Sequence, residues 1–328
     1  MKFKEFIGID VSKSHIDVFI HHERVHSKFS NNEAGFEKMM QWTCQRAHCA
    51  EEGILFAFEH TGLYSLPLSL FLNEKQYGFA MIPGLELKRS MGRGKADMTD
   101  ASAIAEYAYE KREKVKLYKM PDKNLLQLKR LLSYRERLVK ENAAFKGRIK
   151  EYEIFLDKEE NPVLFESHKK MIGRFKDEIK VVEKELYRLL KEDEELVEQF
   201  DLINSIKGVG PQTALVMIVL TNGFTSFDEW RKFASYAGTA PFPNESGTFK
   251  GRTKVSQLAN KRIKALFNCC ACSAIQSNPE MKMYYQGRIA EGKNTMSTLN
   301  IVRNKLLSRI FAVVKRGTPY VDTYKFAA

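Results

Sequence analysis

The feature that most constrains the fold is a short apolar strand carrying one carboxylate near its end, Phe6-Ile7-Gly8-Ile9-Asp10-Val11. Burying a carboxylate among β-branched side chains is costly unless something pairs with it. After the polar break Ser12–His15, the run Ile16 to Ile20 reads as an antiparallel partner strand. Taken alone, Asp10 could simply help the turn. Two later stretches add carboxylates in comparable settings, Phe56-Ala57-Phe58-Glu59-His60-Thr61-Gly62 and Gly94-Lys95-Ala96-Asp97-Met98-Thr99-Asp100-Ala101. Together they give four acids in the order Asp, Glu, Asp, Asp.

The surrounding pattern predicts strands over 5–10, 16–21 and 25–29 and a helix over 33–46 capped by Asn31 or Asn32. A strand over 54–59, a helix over 63–75 and a strand over 78–83 follow. A glycine-rich basic loop carries Lys88, Arg89, Arg93 and Lys95, and an amphipathic helix over 97–112 completes the set. This order is that of an α/β, ribonuclease-H-like fold. It places Asp10 on the first strand and Glu59 at the end of a neighbouring one, where ligands of open α/β sheets bind. Asp97 and Asp100 are three apart and share a helix face, although acids at a helix start also serve the helix dipole. Four clustered carboxylates would not all stay ionised. A pair of Mg²⁺ ions (or Mn²⁺) would relieve the repulsion and suit phosphoryl transfer.

Residues 122–157 and 163–199 read as two long helices broken at Asn161-Pro162. Leu128, Leu131, Leu138, Phe145, Ile149, Tyr152 and Leu156 follow a 3-4 repeat, with Arg135 and Asn142 in the gaps. Ile172, Phe175, Ile179, Val182, Leu186 and Leu189 form another. A coiled-coil helical hairpin is the expectation, serving as spacer, assembly surface or both.

Beyond it, Lys207-Gly208-Val209-Gly210-Pro211 feeds a helix over 211–221. Such a turn suits a helix-hairpin-helix phosphate contact and equally a plain helix start. Phe227 to Tyr236 reads as a further helix. A Pro/Gly-rich loop, 237–251, then carries Ser246-Gly247 and leads into Lys250, Arg252, Lys254, Lys261, Arg262 and Lys264. Ser246 reads as a turn serine or a nucleophile, with Ser235, Ser256 and Tyr236 as rivals.

Charge narrows the partners. The net charge is +12, and residues 111–150 hold 14 Lys/Arg against 4 Asp/Glu. A polyanion, nucleic acid above all, is the expected partner. The basic loop and the 111–150 segment, with Lys129, Arg130 and Arg137, suggest an extended phosphate-binding track. No apolar run is long enough for a membrane span. Asp10 interrupts any signal-peptide body, so a cytoplasmic protein is expected. The five cysteines lack disulfide or zinc spacing, and Cys269, Cys270 and Cys272 read as small buried hydrophobes.

The motifs Gly-Ile-Asp-Val-Ser-Lys, Phe-Glu-His-Thr-Gly, Lys-Ala-Asp-Met-Thr-Asp-Ala, Gly-Val-Gly-Pro-x-Thr-Ala and Ala-Pro-x-x-x-x-Ser-Gly occur in order across nearly the whole chain. In this the chain resembles transposases of the insertion sequence family numbered 110, relatives of the Piv and MooV invertases. The resemblance implies a RuvC-like DEDD domain over 1–118, the helical hairpin over 119–200 and a mostly α-helical C-terminal transposase domain over 201–328. It assigns the tetrad to Asp10, Glu59, Asp97 and Asp100, and makes Ser246 the nucleophile of a covalent phosphoserine link to DNA. It further implies a structured noncoding bridge RNA as guide, donor and target DNA as substrates, and a dimer or tetramer whose protomers share sites. Ala259-Asn260 and Ile263-Lys264 depart from the Gly-Asn and Leu-Arg usual there. A RuvC-like hydrolytic nuclease, needing the tetrad but no serine, is the alternative.

Overall fold

A computed structural model of the chain describes residues 3–84, 86–87, 100–256 and 259–321. The chain divides into two compact units after Met120.

The first unit is a five-stranded mixed sheet in the order β3-β2-β1-β4-β5. Its strands are β1 (Glu5–Val11), β2 (His15–Ile20), β3 (Val25–Ser30), β4 (Ile54–Glu59) and β5 (Phe79–Ile82). The first three form the expected antiparallel meander, and β4 and β5 run parallel to β1. Because side chains alternate along a strand, the two faces carry separate cores. Ile7, Ile9, Phe56 and Phe58 pack with Phe36, Met39, Leu68 and Leu72 from α1 (Glu33–Arg46) and α2 (Leu66–Glu74). Asn32 caps α1 by accepting from the Gly35 N–H, and Pro67 sits in the first turn of α2, where no donor is lost. Phe6, Leu55, Ala57, Ala80 and Ile82 face Ile104 and Ala108 of α3 (Asp100–Glu110).

The second unit is largely helical. The long helices α4 (Lys123–Phe155) and α5 (Pro162–Leu190) pack along each other. Leu128, Leu132, Leu138, Val182, Leu186 and Leu189 are buried in the same core that holds the helices beyond. The two residues filling the heptad gaps have distinct fates. Arg135 pairs with Glu183 of α5, while Asn142 is buried with no partner for its Oδ1 among the described residues. The helix expected over 163–199 is two: α5 ends at Leu190, and Asp193 caps α6 (Glu194–Asn204) by accepting from the Leu196 N–H. The helices α7 (Pro211–Thr221), α8 (Trp230–Ala237), α9 (Lys261–Ser277), α10 (Pro279–Ala290) and α11 (Thr295–Arg316) complete the unit.

Two expectations are corrected here. The segment read as a loop over 237–251 is in large part strand: β6 (Pro241–Ser246) and β7 (Phe249–Val255) form an antiparallel hairpin. Pro241 and Pro243 obscured it, since proline argues against a central strand. A two-stranded ribbon has only edge strands, which tolerate the missing donors. Of the three clustered cysteines only Cys270 is buried, bonded to Thr213; Cys269 and Cys272 are exposed. One helical face can turn inward for only some of four successive residues. No described helix is long and apolar enough to cross a membrane.

Candidate active site

In the first unit the register does the assembling. The parallel ladder pairs Ile9 with Phe58. Asp10 and Glu59 therefore follow one step further on adjacent strands, projecting from the α3 face. Across the antiparallel ladder Asp10 is directly opposite Asp17.

Helix α3 lies on bare backbone. A Cβ on Gly8 would come within 2.0 Å of the Ala101 carbonyl oxygen and 2.4 Å of the Ala105 nitrogen. This close approach, lined by Ala101 and Ala105 against Phe19, sets the first residue of the helix, Asp100, beside the end of β1. A second glycine shapes the Glu59 side. A Cβ on Gly84 would fall 1.9 Å from Glu59 Oε1, so the carboxylate lies against glycine backbone just beyond β5.

The electrostatics follow from this crowding. Partial burial, then the negative charges of Asp100, Asp17 and Glu59, hold the Asp10 carboxyl above its ordinary range, against the pull of a hydrogen bond from the Val11 backbone. The structure thus brings Asp10, Glu59 and Asp100 into one electrostatic neighbourhood. Asp97, the remaining member of the expected tetrad, lies outside the described residues, as do Lys88, Arg89, Arg93 and Lys95. Among the described residues no three His, Cys, Asp or Glu side chains are close enough together to hold a metal ion. The donor set still suits a hard divalent cation, because every member offers carboxylate oxygens, and burial together with neighbouring negative charge raises the Asp10 carboxyl.

Ser246 belongs to the second unit, at the tip of the β6–β7 hairpin. It pairs with Phe249 across the two-residue turn Gly247-Thr248. Gly247 has φ +55° and open space where a Cβ would be, as primed hairpin turns require of their first residue. Ser246 is solvent-exposed. The rivals sit at the root: Ser235 and Tyr236 are on α8, and Ser256 follows β7. The root itself is pinned, since Thr239 is fully buried and its carbonyl accepts from Asn300 Nδ2 at 2.8 Å and Asn304 Nδ2 at 2.9 Å.

The predicted nucleic-acid residues fall into groups. Lys129, Arg130 and Arg137 are exposed on α4. Lys261 and Lys264 lie in the first turns of α9, while Arg262 forms an ion pair with Glu136 of α4. Lys250, Arg252 and Lys254 lie on β7; their side chains are outside what is described. Lys207 precedes a turn in which Gly208 has φ +92° and lies so close to Ala274 that a Cβ would meet it at 2.5 Å. Helix packing therefore accounts for that glycine. Gly210 has open space around it and caps α7.

Comparison with known proteins decides the family. A family model described as "Transposase", that of the IS110 DEDD transposases, matches residues 7–154, and one described as "Transposase IS116/IS110/IS902 family" matches residues 200–286. The chain belongs to the IS110 family of insertion-sequence transposases. The pilin gene-inverting proteins of Moraxella bovis and Moraxella lacunata are each 25% identical over 97% of this chain and 98% of their own length. An insertion element IS110 protein of Streptomyces coelicolor is 32% identical over 36% of this chain and 29% of its own. Members of this transposase and invertase family are DNA-recombining enzymes.

In this IS110-family chain, sequence reasoning missed Asp17, Gly84 and the amides of α11. Asp17 had a signal. With a polar break between two strands, alternation sets it on the face of Asp10. The Thr239 clamp spans 61 and 65 residues and leaves no local trace.

Proposed function

We propose that this chain is a DNA recombinase of an insertion sequence, guided by a structured noncoding RNA. Asp10, Glu59, Asp97 and Asp100 would hold Mg²⁺, and Ser246 would be the nucleophile. The observation that carries the reading is the crowding of Asp10 by Glu59 and Asp100 at one end of β1, in a chain similar along its length to proteins named for gene inversion. Bound Mg²⁺ would supply charge neutralisation at the phosphate and polarisation of its oxygens. The hairpin's part is presentation. The Ser246 hydroxyl, exposed beside an open glycine, would attack phosphorus in a DNA strand. An Oγ–P bond would form as the P–O bond to the neighbouring nucleotide breaks. The hydroxyl proton would pass to a base and the departing strand would keep its oxygen. Reversal by a hydroxyl of a second strand rejoins DNA with no external energy source. Water in place of serine would give the alternative, a hydrolytic nuclease.

The two halves of the chemistry lie in separate units, which is compatible with sites composed from two protomers of a multimer. Exposed Lys129, Arg130 and Arg137 offer the guide RNA a phosphate-binding surface.

The test is a denaturing gel of protein mixed with its DNA and RNA in Mg²⁺. A covalent protein–DNA band is expected, lost in Ser246→Ala and in excess chelator, with nucleic-acid binding retained by the variant. Cleavage without any covalent band would establish the nuclease instead.

A further inference from the structure

Beneath the serine hairpin lies a buried polar node that the reading above does not use. Arg303, on α11, is only 4% exposed, yet it pairs with no carboxylate among the described residues. Its Nη2 donates to Asn268 Oδ1 on α9 and its Nη1 to Asn300 Oδ1 at 3.3 Å, while its Nε is buried with no partner among the described residues. Burial depresses the guanidinium's affinity for its proton, but an arginine stays charged in protein interiors.

The chain of contacts runs to the hairpin. Asn300 accepts from Arg303 with its oxygen and donates to the Thr239 carbonyl with its amide; Asn304, one turn further along, donates to the same carbonyl. Thr239 lies two residues before β6, its own N–H and hydroxyl bonded back to Ala234 of α8. On the returning side, the Asn260 N–H donates to the Tyr236 carbonyl, and the Asn260 side chain caps α9. The same α9 carries Asn268. Both roots of the hairpin are thus tied to helices that Arg303 bridges.

A buried charge satisfied only by amide oxygens is expensive, and apolar replacement of such groups often stabilises a fold. What the guanidinium provides and an apolar side chain cannot is orientation. Its planar donors hold the Asn300 amide in one sense, with oxygen inward and nitrogen toward Thr239.

We propose that Arg303 is a positioning residue for the serine hairpin, acting through Asn300 on the Thr239 carbonyl, which Asn304 also holds, to fix the direction in which Ser246 is presented. The reaction in question is the one proposed above, and the inference rests on that reading for its meaning but not for its measurement.

The experiment uses the full chain with its five cysteines replaced. Spin labels go on Thr248→Cys at the hairpin tip and Gln286→Cys on α10, and the distance between them is read by pulsed electron paramagnetic resonance. Arg303→Met should broaden or shift the distribution and slow covalent adduct formation at saturating DNA by tenfold or more, with DNA affinity changed less than threefold. Arg303→Lys should recover less than half of the lost rate, because it lacks the planar fork. Arg303→Met and Asn300→Ala should be non-additive in rate, since they act along one path. Should Arg303→Met fail to fold, Asn300→Ala/Asn304→Ala, which keeps the guanidinium, must give the same broadening. An unchanged distance distribution with an unchanged rate overturns the proposal. A Ser246→Ala protein that still forms the adduct would refute the nucleophile, while the distance measurement would still judge the positioning role by itself.

Discussion

At the scale of single residues, the most informative group is Asp10. Its carboxyl is raised above the ordinary range by burial and by the charges of Asp100, Asp17 and Glu59. For an acid whose folded pKa exceeds its unfolded value, ionisation costs stability. The cost is absent below the unfolded value of 3.8, grows as pH rises through the raised folded value, and is complete above it. Asp10→Asn removes the cost. The variant should abolish adduct formation yet raise the melting temperature of the metal-free protein at pH 7 by about 2 °C, with no gain near pH 3. Calorimetry at the two pH values checks this. A loss of stability at pH 7 would show that Asp10 is paired in a way the register does not indicate. Asp17 explains part of this behaviour: alternation in the sequence puts it on the face of Asp10, and the pairing of β1 with β2 sets the two directly opposite.

At the scale of elements, the sheet was legible because its pattern is local. Alternating apolar residues, Asn32 as cap and proline in a first helical turn each state their own case within a few residues. The β6–β7 hairpin was not legible, because Pro241 and Pro243 carry the signature of a loop and only exposure of both ribbon edges removes the objection. The heptads of α4 and α5 were legible as a repeat but ambiguous as to partner. Leu138 and Val182 are buried within this one chain, so the seam is occupied before any second copy arrives. Leu138→Ala should therefore destabilise the isolated chain by about 2–4 kcal/mol, measured by urea unfolding. Val181→Glu, on a position 61% exposed, should leave stability nearly unchanged and lower the sedimentation mass only if assembly uses that outer face. Equal stability for the Leu138 variant and its parent would refute the intrachain packing.

At the scale of the whole molecule, charge and division into units matter most. The net charge of +12 predicts nucleic-acid affinity that falls steeply with salt as counterions are released. Reversing Lys129, Arg130 and Arg137 to Glu should weaken binding of the proposed guide RNA at least tenfold and flatten the salt dependence by about three phosphate contacts. Filter binding from 50 to 300 mM salt, concentrations chosen as roughly the range where such slopes resolve, tests it. An unchanged slope would move the RNA surface elsewhere. In the sequence the acids and Ser246 are far apart, and they fall in different units: the acids in the first, Ser246 in the second.

One detail of the hairpin has a wider reach. Between the pairs Phe242–Lys254 and Asn244–Gly251, two residues of β7 stand opposite one of β6. Such an insertion bends the ribbon and tightens its twist. Ser246 stands three residues beyond Pro243, a lever of about 10 Å, so a change of about 10° in the bend carries its hydroxyl through roughly 2 Å, enough to leave a near-attack geometry. The hydroxyl's address is therefore written in a residue count. Deleting Thr253 would leave Ser246, its turn and every acid in place, and would even make the ladder more regular. The improved ribbon would point somewhere else.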